Sequence, residues 1–241
     1  MKILLVQVRA SDDIMLEHEV ACIERKLSPR SCTLVHHNAV VTPADPAWLD
    51  GVDAMIIGGS GDFSVHHPRS LPWVTPLRHV LEEALKRNMP GFGVCFGHQV
   101  LGQHLGSQVI TDPDASELGT VDVSLTDAGR ASPLYAGFND VIRVHSGHSD
   151  RVQTVPEGVE LLAENGRCET QSFRVRGTQF YSVQFHPDMT GAEARYRYLA
   201  YREGFADRID GEARKAAERF IEGDDESTEL LGRFVDILAS P

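Results

Sequence analysis

This chain is short of cysteine, of positive charge and of long apolar runs, and each shortage removes a class of protein. Its four cysteines, Cys22, Cys32, Cys95 and Cys168, are scattered through 241 residues with no CxxC pair. That spacing offers neither a dense disulfide framework nor a zinc site. Lys and Arg total 23 against 35 Asp and Glu, a net charge of −12. Such a balance argues against nucleic acid or an anionic membrane as a partner, and reads simply as solubility. No apolar run approaches the roughly 20 residues of a membrane span. The opening "MKILLVQVRASDD" is too short in apolar residues, and lacks the small-residue cleavage site, for a signal peptide. A reducing cytoplasm is the expected location, and it would keep thiols usable. Internal repeats and low-complexity tracts are also missing.

What is present is ordinary for a globular protein, with 41% apolar and 24% charged residues. The length suits one large domain or a domain with an extension. "KILLVQV" reads as a central buried strand, and Ser11 as the cap of a helix burying Met15, Val20, Ile23 and Leu27. "CTLVHHNAV" and "VDAMIIGG" follow as strands, "VTPLRHVLEEALKRN" as a helix, and Phe92 to Val94 as another strand. Alternation of this kind implies right-handed crossovers and a mainly parallel sheet. After Gly106 come short β-rich segments, "VDVSLT", "VIRVHSG", "ELLAEN", "QSFRVRG" and "TQFYSVQFH". They are expected to form hairpins laid against, and partly extending, that sheet. From Gly191 the pattern turns helical, in "AEARYRYLAYREGFADRI", "EARKAAERFIE" and "ESTELLGRFVDIL", with "EGDDES" as the most loop-like break.

The segment "GFGVCFGHQVLGQHLG" sets Cys95 between Gly93 and Gly97, at the end of a strand and the start of a helix. A nucleophile on a sharp strand-to-helix turn needs small neighbours on both sides, the physical content of a nucleophile elbow. A helix N-terminus would also make its thiol a better nucleophile. A buried structural cysteine has the same spacing, so the elbow alone leaves both readings open. A nucleophile requires a base, and eleven histidines compete for that role. His36, His37, His66 and His67 come as adjacent pairs without metal-ligand spacing, and His98 reads as a packed helix histidine. His186 differs, because it ends an apolar strand and precedes Pro187 and Asp188. That order can set an imidazole between a nucleophile and an orienting acid, with proline stiffening the link.

Together, "GVCFGHQ" and the later "VQFHPD" resemble the motifs G-x-C-x-G-x-Q and H-P-E of the class I glutamine amidotransferases. "IIGGSGD" is similar to the family's glycine-rich oxyanion loop and "VHSGHSDRV" to its substrate-flanking segment, and the resemblance spans about residues 1–190. Within the family, the layout looks like the single-domain, GMP-synthase-like members. The resemblance implies an α/β, flavodoxin-like fold, a mainly parallel central sheet flanked by helices, with added β-hairpins. It divides the chain into an amidotransferase domain, 1–190, and a helical C-terminal extension, 191–241, which either packs on the core or docks a partner. It implies a glutaminase, with Cys95, His186 and Asp188 as catalytic residues and the backbone of Gly59 and Phe96 as oxyanion donors. Gln99, Ser146 and Gly147 would hold the substrate. No cofactor and no metal are implied. The partners would be glutamine or another γ-glutamyl substrate and an ammonia-accepting synthetase.

One position departs from the pattern: the family has glutamate where Asp188 stands, one methylene shorter. Four readings follow from the same residues. They are a glutaminase feeding a separate synthetase, a self-sufficient γ-glutamyl hydrolase, a non-catalytic binding homologue, and a related cysteine-elbow fold. The distal "FHPD" argues against the last.

Overall fold

The computed structural model describes residues 1–205 and 211–240. The first half alternates strand and helix: β1 (Lys2–Val8), α1 (Leu16–Leu27), β2 (Thr33–Asn38), β3 (Ala54–Ser60), α2 (Leu71–Lys86), β4 (Gly91–Val94) and α3 (Phe96–His104). The second half is β5 (Val109–Thr111), β6 (Glu117–Leu125), α4 (Asp127–Ala131), β7 (Val141–His148), β8 (Asp150–Val152), β9 (Val159–Glu164), β10 (Ser172–Val175) and β11 (Phe180–Val183). The chain continues as α5 (Gly191–Phe205), α6 (Gly211–Ala217) and α7 (Glu229–Ala239). The expected "ADRI" end of the first tail helix lies outside the described residues.

The sequence suggests a central strand for β1, and the sheet places it second from the edge, beside β2, yet buried on both faces as its alternation requires. Ile3 and Leu5 point into one apolar cluster, Leu4, Val6 and Val8 into another, and all five are fully buried. A strand apolar on both faces must be covered on both faces. Ile23 and Leu27 of α1 join Phe234 and Val235 of α7 on one side. Trp73, Leu77 and Leu81 of α2 join Val100 and Leu101 of α3 on the other. Each such side chain contributes about 1.5–3 kcal/mol by leaving water.

β2, β1, β3, β4 and β11 are parallel neighbours in that order. β10, β9, β6 and β7 then continue the same sheet antiparallel, giving nine strands. The hairpins therefore extend the sheet itself instead of lying against it, and a β5–β8 pair forms a small second sheet.

Two local expectations are corrected. Ser11 does not cap α1; it lies in a turn, and the helix starts at Leu16. Asp13 organises that entry, its carboxylate accepting from the Met15 N–H at 2.8 Å and its carbonyl from the Leu16 N–H at 3.1 Å. His186 does not end a strand, since β11 stops at Val183 and the chain bends before it.

Candidate active site

The elbow is forced by close backbone contacts. A Cβ on Gly93 would lie 2.8 Å from the Gly97 carbonyl, and one on Gly97 would lie 2.3 Å from the Ile57 carbonyl oxygen. Neither contact can relax, because each partner is backbone. Between them Cys95 adopts φ 49°, ψ −95°, a strained region that side chains rarely occupy. It is held there by its N–H on the Val183 carbonyl at 2.8 Å and its own carbonyl under the Gln99 N–H at 3.0 Å.

Three adjacent parallel strands, β3, β4 and β11, end at this point, and open α/β sheets place their sites at such carboxyl ends. Gly59 comes from β3, Cys95 follows β4, and His186 follows β11. At Gly59 a Cβ would stand 2.8 Å from His186 Cε1 and 3.7 Å from Cys95 Cβ, so glycine here makes room for the imidazole. Phe96 opens α3 directly after the cysteine.

His186 Nδ1 lies 3.0 Å from Asp188 Oδ1, and both residues are buried. The shorter acid thus reaches the ring directly, without a bridging water. Burial alone would push the imidazole's pKa down. The Asp188 charge, the facing Cys95 sulfur and their hydrogen bonds outweigh it, raising the value to about 9. Burial likewise opposes ionisation of Asp188, yet His186 and Arg197 hold its carboxyl well below the usual carboxylate range.

Arg197 was not anticipated. It projects from α5, is 5% exposed, and places Nη1 3.2 Å from Asp188 Oδ2, with Nη2 3.3 Å from His18 Nδ1. Each oxygen of Asp188 therefore has its own cationic partner. In the sequence Arg197 stands in "EARYRYLAYRE", where arginines flanked by glutamates look like a solvated helix face, and no signal marks it. Tyr201, one turn on, hydrogen-bonds Arg9 and donates to Asp13 at 3.0 Å. Its hydroxyl also packs where a Gly61 side chain would go, so α5 closes over the glycine-rich loop. Beneath that loop Arg9 and Glu19 form a fully buried bidentate pair at 2.9 and 3.0 Å.

The remaining expected residues line one cavity of about 740 Å³, which opens above Cys95 and His186. Gln99 is buried, and its amide nitrogen already serves the Asp150 carbonyl at 2.8 Å and Gln184 Oε1 at 3.3 Å. Its carbonyl oxygen remains as the group to offer a substrate. Ser146 and Gly147 form the wall on β7, the Ser146 hydroxyl buried without a hydrogen-bond partner among the described residues. His98 faces away, fully buried with Nδ1 2.9 Å from Ser182 Oγ, and burial lowers its pKa to about 3. Among the described residues no group of three His, Cys, Asp or Glu side chains is placed to hold a metal. No described helix is long and apolar enough to cross a membrane.

A cysteine elbow facing a histidine–carboxylate pair at the carboxyl ends of parallel strands brings a thiol, a base and an orienting acid together. The chain belongs to the family "Glutamine amidotransferase class-I", whose model matches residues 19–202 and so includes Arg197. It is 30% identical over 158 residues to a glutamine-hydrolyzing GMP synthase subunit of Sulfurisphaera tokodaii, covering 65% of this chain and 79% of that one. It is 36% identical over 103 residues to the GMP synthase of Malacoplasma penetrans, covering 43% of this chain but 19% of that longer protein. Among solved structures, a glutamine amidotransferase from Thermotoga maritima shares the fold over 100% of this chain and 99% of its own, with TM-score 0.76 at 20% identity. The glutaminase domain of Trypanosoma brucei CTPS with bound acivicin matches with TM-score 0.62 at 19% identity, over 87% and 95% of the two chains.

Proposed function

We propose that the protein hydrolyses the side-chain amide of glutamine and releases ammonia for a separate synthetase. The observation that carries this is Cys95 on its strained elbow, facing a His186 whose other side is held by Asp188. In this reading the Cys95 sulfur gives its proton to His186 and attacks the amide carbon. The oxyanion is held by the Gly59 and Phe96 N–H groups, a contribution of about 10²–10³-fold per donor in comparable sites. His186 then protonates the departing ammonia, leaving a γ-glutamyl thioester, and draws a proton from the water that releases glutamate. Asp188 holds the ring orientation and stabilises the imidazolium. Gln99 Oε1, Ser146 and Gly147 receive the α-amino-acid end. The synthetase partner is supported by the Sulfurisphaera tokodaii relative, which is itself one subunit of a glutamine-hydrolyzing GMP synthase. A cytoplasmic location suits this chemistry, since all four cysteines are unpaired thiols.

We further propose that the helical extension 191–241, set apart from 1–190 by its helical pattern, lends the site a wall through α5, which reaches Asp188, and packs on the core through α7, beside Phe92. A second reading, hydrolysis of larger γ-glutamyl amides or peptides, is favoured by the cavity, whose 740 Å³ exceeds what glutamine needs. Turnover of glutamine against γ-glutamyl dipeptides by the isolated protein separates the two. A kcat/KM higher for dipeptides by tenfold or more selects the second reading, and no turnover of either rejects both.

A further inference from the structure

Beside Cys95 lies a side chain that the steps above leave unused. Gln184 follows β11, is fully buried, and is anchored by its backbone N–H on the Gln171 carbonyl at 2.8 Å. Its amide nitrogen is 3.6 Å from Cys95 Sγ, within reach of an N–H···S hydrogen bond, which runs longer than N–H···O because sulfur is larger. We propose that Gln184 is a catalytic residue that donates a hydrogen bond to the Cys95 sulfur and stabilises its thiolate.

The orientation of this amide follows from its neighbours. The Asp150 backbone carbonyl can only accept, so the group that Gln99 presents to it at 2.8 Å is the NH₂. The same Gln99 nitrogen lies 3.3 Å from the Gln184 side chain, which must answer with its oxygen. The Gln184 nitrogen is then turned to the sulfur. One carbonyl on β8 thereby sets two amides in series. A thiol accepts such a bond weakly and a thiolate strongly, so a fixed donor favours the ionised form. No proton moves on Gln184: the thiol proton passes to His186 on the other side.

The other ionisable groups around the cavity are His186, with Asp188 and Arg197 behind it, Asp62, Glu117, His145, His148 and Asp150, and, from α5, Tyr198, Tyr201 and Arg202. On α3, His98 is neutral in its buried position. None of these changes when Gln184 is replaced, so a shift in thiol behaviour reports the amide itself.

The inference rests on Cys95 being the nucleophile, and the experiment keeps the two apart. The pH dependence of iodoacetamide alkylation is followed at the Cys95 peptide by mass spectrometry, in the full chain and in Gln184→Met and Gln184→Glu. Methionine keeps the volume and loses the donor; glutamate keeps the shape and presents a repelling oxygen. We expect the alkylation midpoint to rise by about one pH unit in Gln184→Met, a tenfold loss of thiolate at a given pH. It should rise further in Gln184→Glu. kcat/KM for glutamine should fall in step, with KM little changed. Gln184→Glu differs by one atom type and carries the test if Gln184→Met does not fold. An unchanged Cys95 midpoint in a folded variant overturns the role of Gln184. Undiminished turnover by wild-type protein alkylated at Cys95 instead overturns the nucleophile assignment.

Discussion

The elbow and the C-terminal helices build the same site by opposite routes. Residues 93–97 carry a compact signature: two glycines, each facing backbone, flank a Cys95 held at positive φ within five positions, although Gly97 meets Ile57 and the Cys95 N–H meets Val183. The α5 contribution is assembled from distant parts: Arg197 reaches Asp188, nine positions back, and His18, 179 positions away, while Tyr201 reaches Arg9 and Asp13, 192 and 188 positions away in the chain. In the proposed mechanism the first supplies the reacting atom and the second the electrostatic frame. A glycine–x–cysteine–x–glycine spacing announces itself in sequence, whereas hydrogen bonds between residues far apart in the chain do not.

Removing the reacting atom has the largest effect. Cys95→Ala is expected to abolish glutamine turnover while circular dichroism shows the fold intact. An electrophilic glutamine analogue should label Cys95 and spare Cys22, Cys32 and Cys168, and equal labelling of another cysteine would show that the elbow is not the reactive end of this comparison.

Next comes the joint between the two regions. Asp188→Asn should lower kcat by about 10²–10⁴-fold with little change in KM, because the lost interaction strengthens as His186 gains its proton. With Asp188 intact, activity should fall as pH rises through about 9, where the imidazolium loses its proton. In Asp188→Asn that alkaline limb should move to lower pH, since burial then acts on the ring without the carboxylate. A limb that stays in place would reduce the triad to a Cys95–His186 pair. Asp188→Glu should cost about tenfold, because both carboxylate oxygens already touch partners and an added methylene overpacks the space.

Arg197→Met tests the remote half alone. It leaves one Asp188 oxygen buried without its cation, which should cost about 3 kcal/mol in denaturant unfolding and lower kcat by about tenfold. Arg197→Lys should recover part of each. Full activity in Arg197→Met would make α5 a cover without a share in the chemistry.

Acid stability probes the same joint more gently. Asp188 is held below its ordinary value, so its stabilisation is complete above about pH 4 and is lost as pH falls below that. Asp188→Asn should therefore flatten the acid limb of stability while lowering stability at neutral pH. Smallest of all is Ser11→Ala, expected to change stability by less than about 0.5 kcal/mol because Ser11 caps nothing.

The elbow's glycines and the strand alternation around β1 were legible because period-two burial and backbone crowding act between near neighbours. Cys95, His186 and Asp188, expected to meet, do meet. The Ser11 cap misled because the helix begins later, where Asp13, two positions on, accepts from the Met15 and Leu16 N–H groups. His186 was read onto a strand because "FYSVQF" is rich in β-forming and apolar residues, though its last residues bend out of the ladder. The antiparallel strands were legible as strands but not as neighbours of β11, since pairing partners depend on register across the whole sheet.

By itself, the amino-acid sequence determined the α/β alternation, the strained turn at Cys95 and the short link from His186 to Asp188. These depend on side-chain size, hydrophobic period and chain stiffness over a few residues. Tertiary structure alone decided that β3, β4 and β11 end side by side, that Gln99 and Gln184 form a relay from the Asp150 carbonyl to the sulfur, and that Arg197 completes the shell around Asp188. The physical reason is that buried charges and amides gain their strength from partners that only the packed chain brings within hydrogen-bonding distance, wherever those partners stand in the sequence.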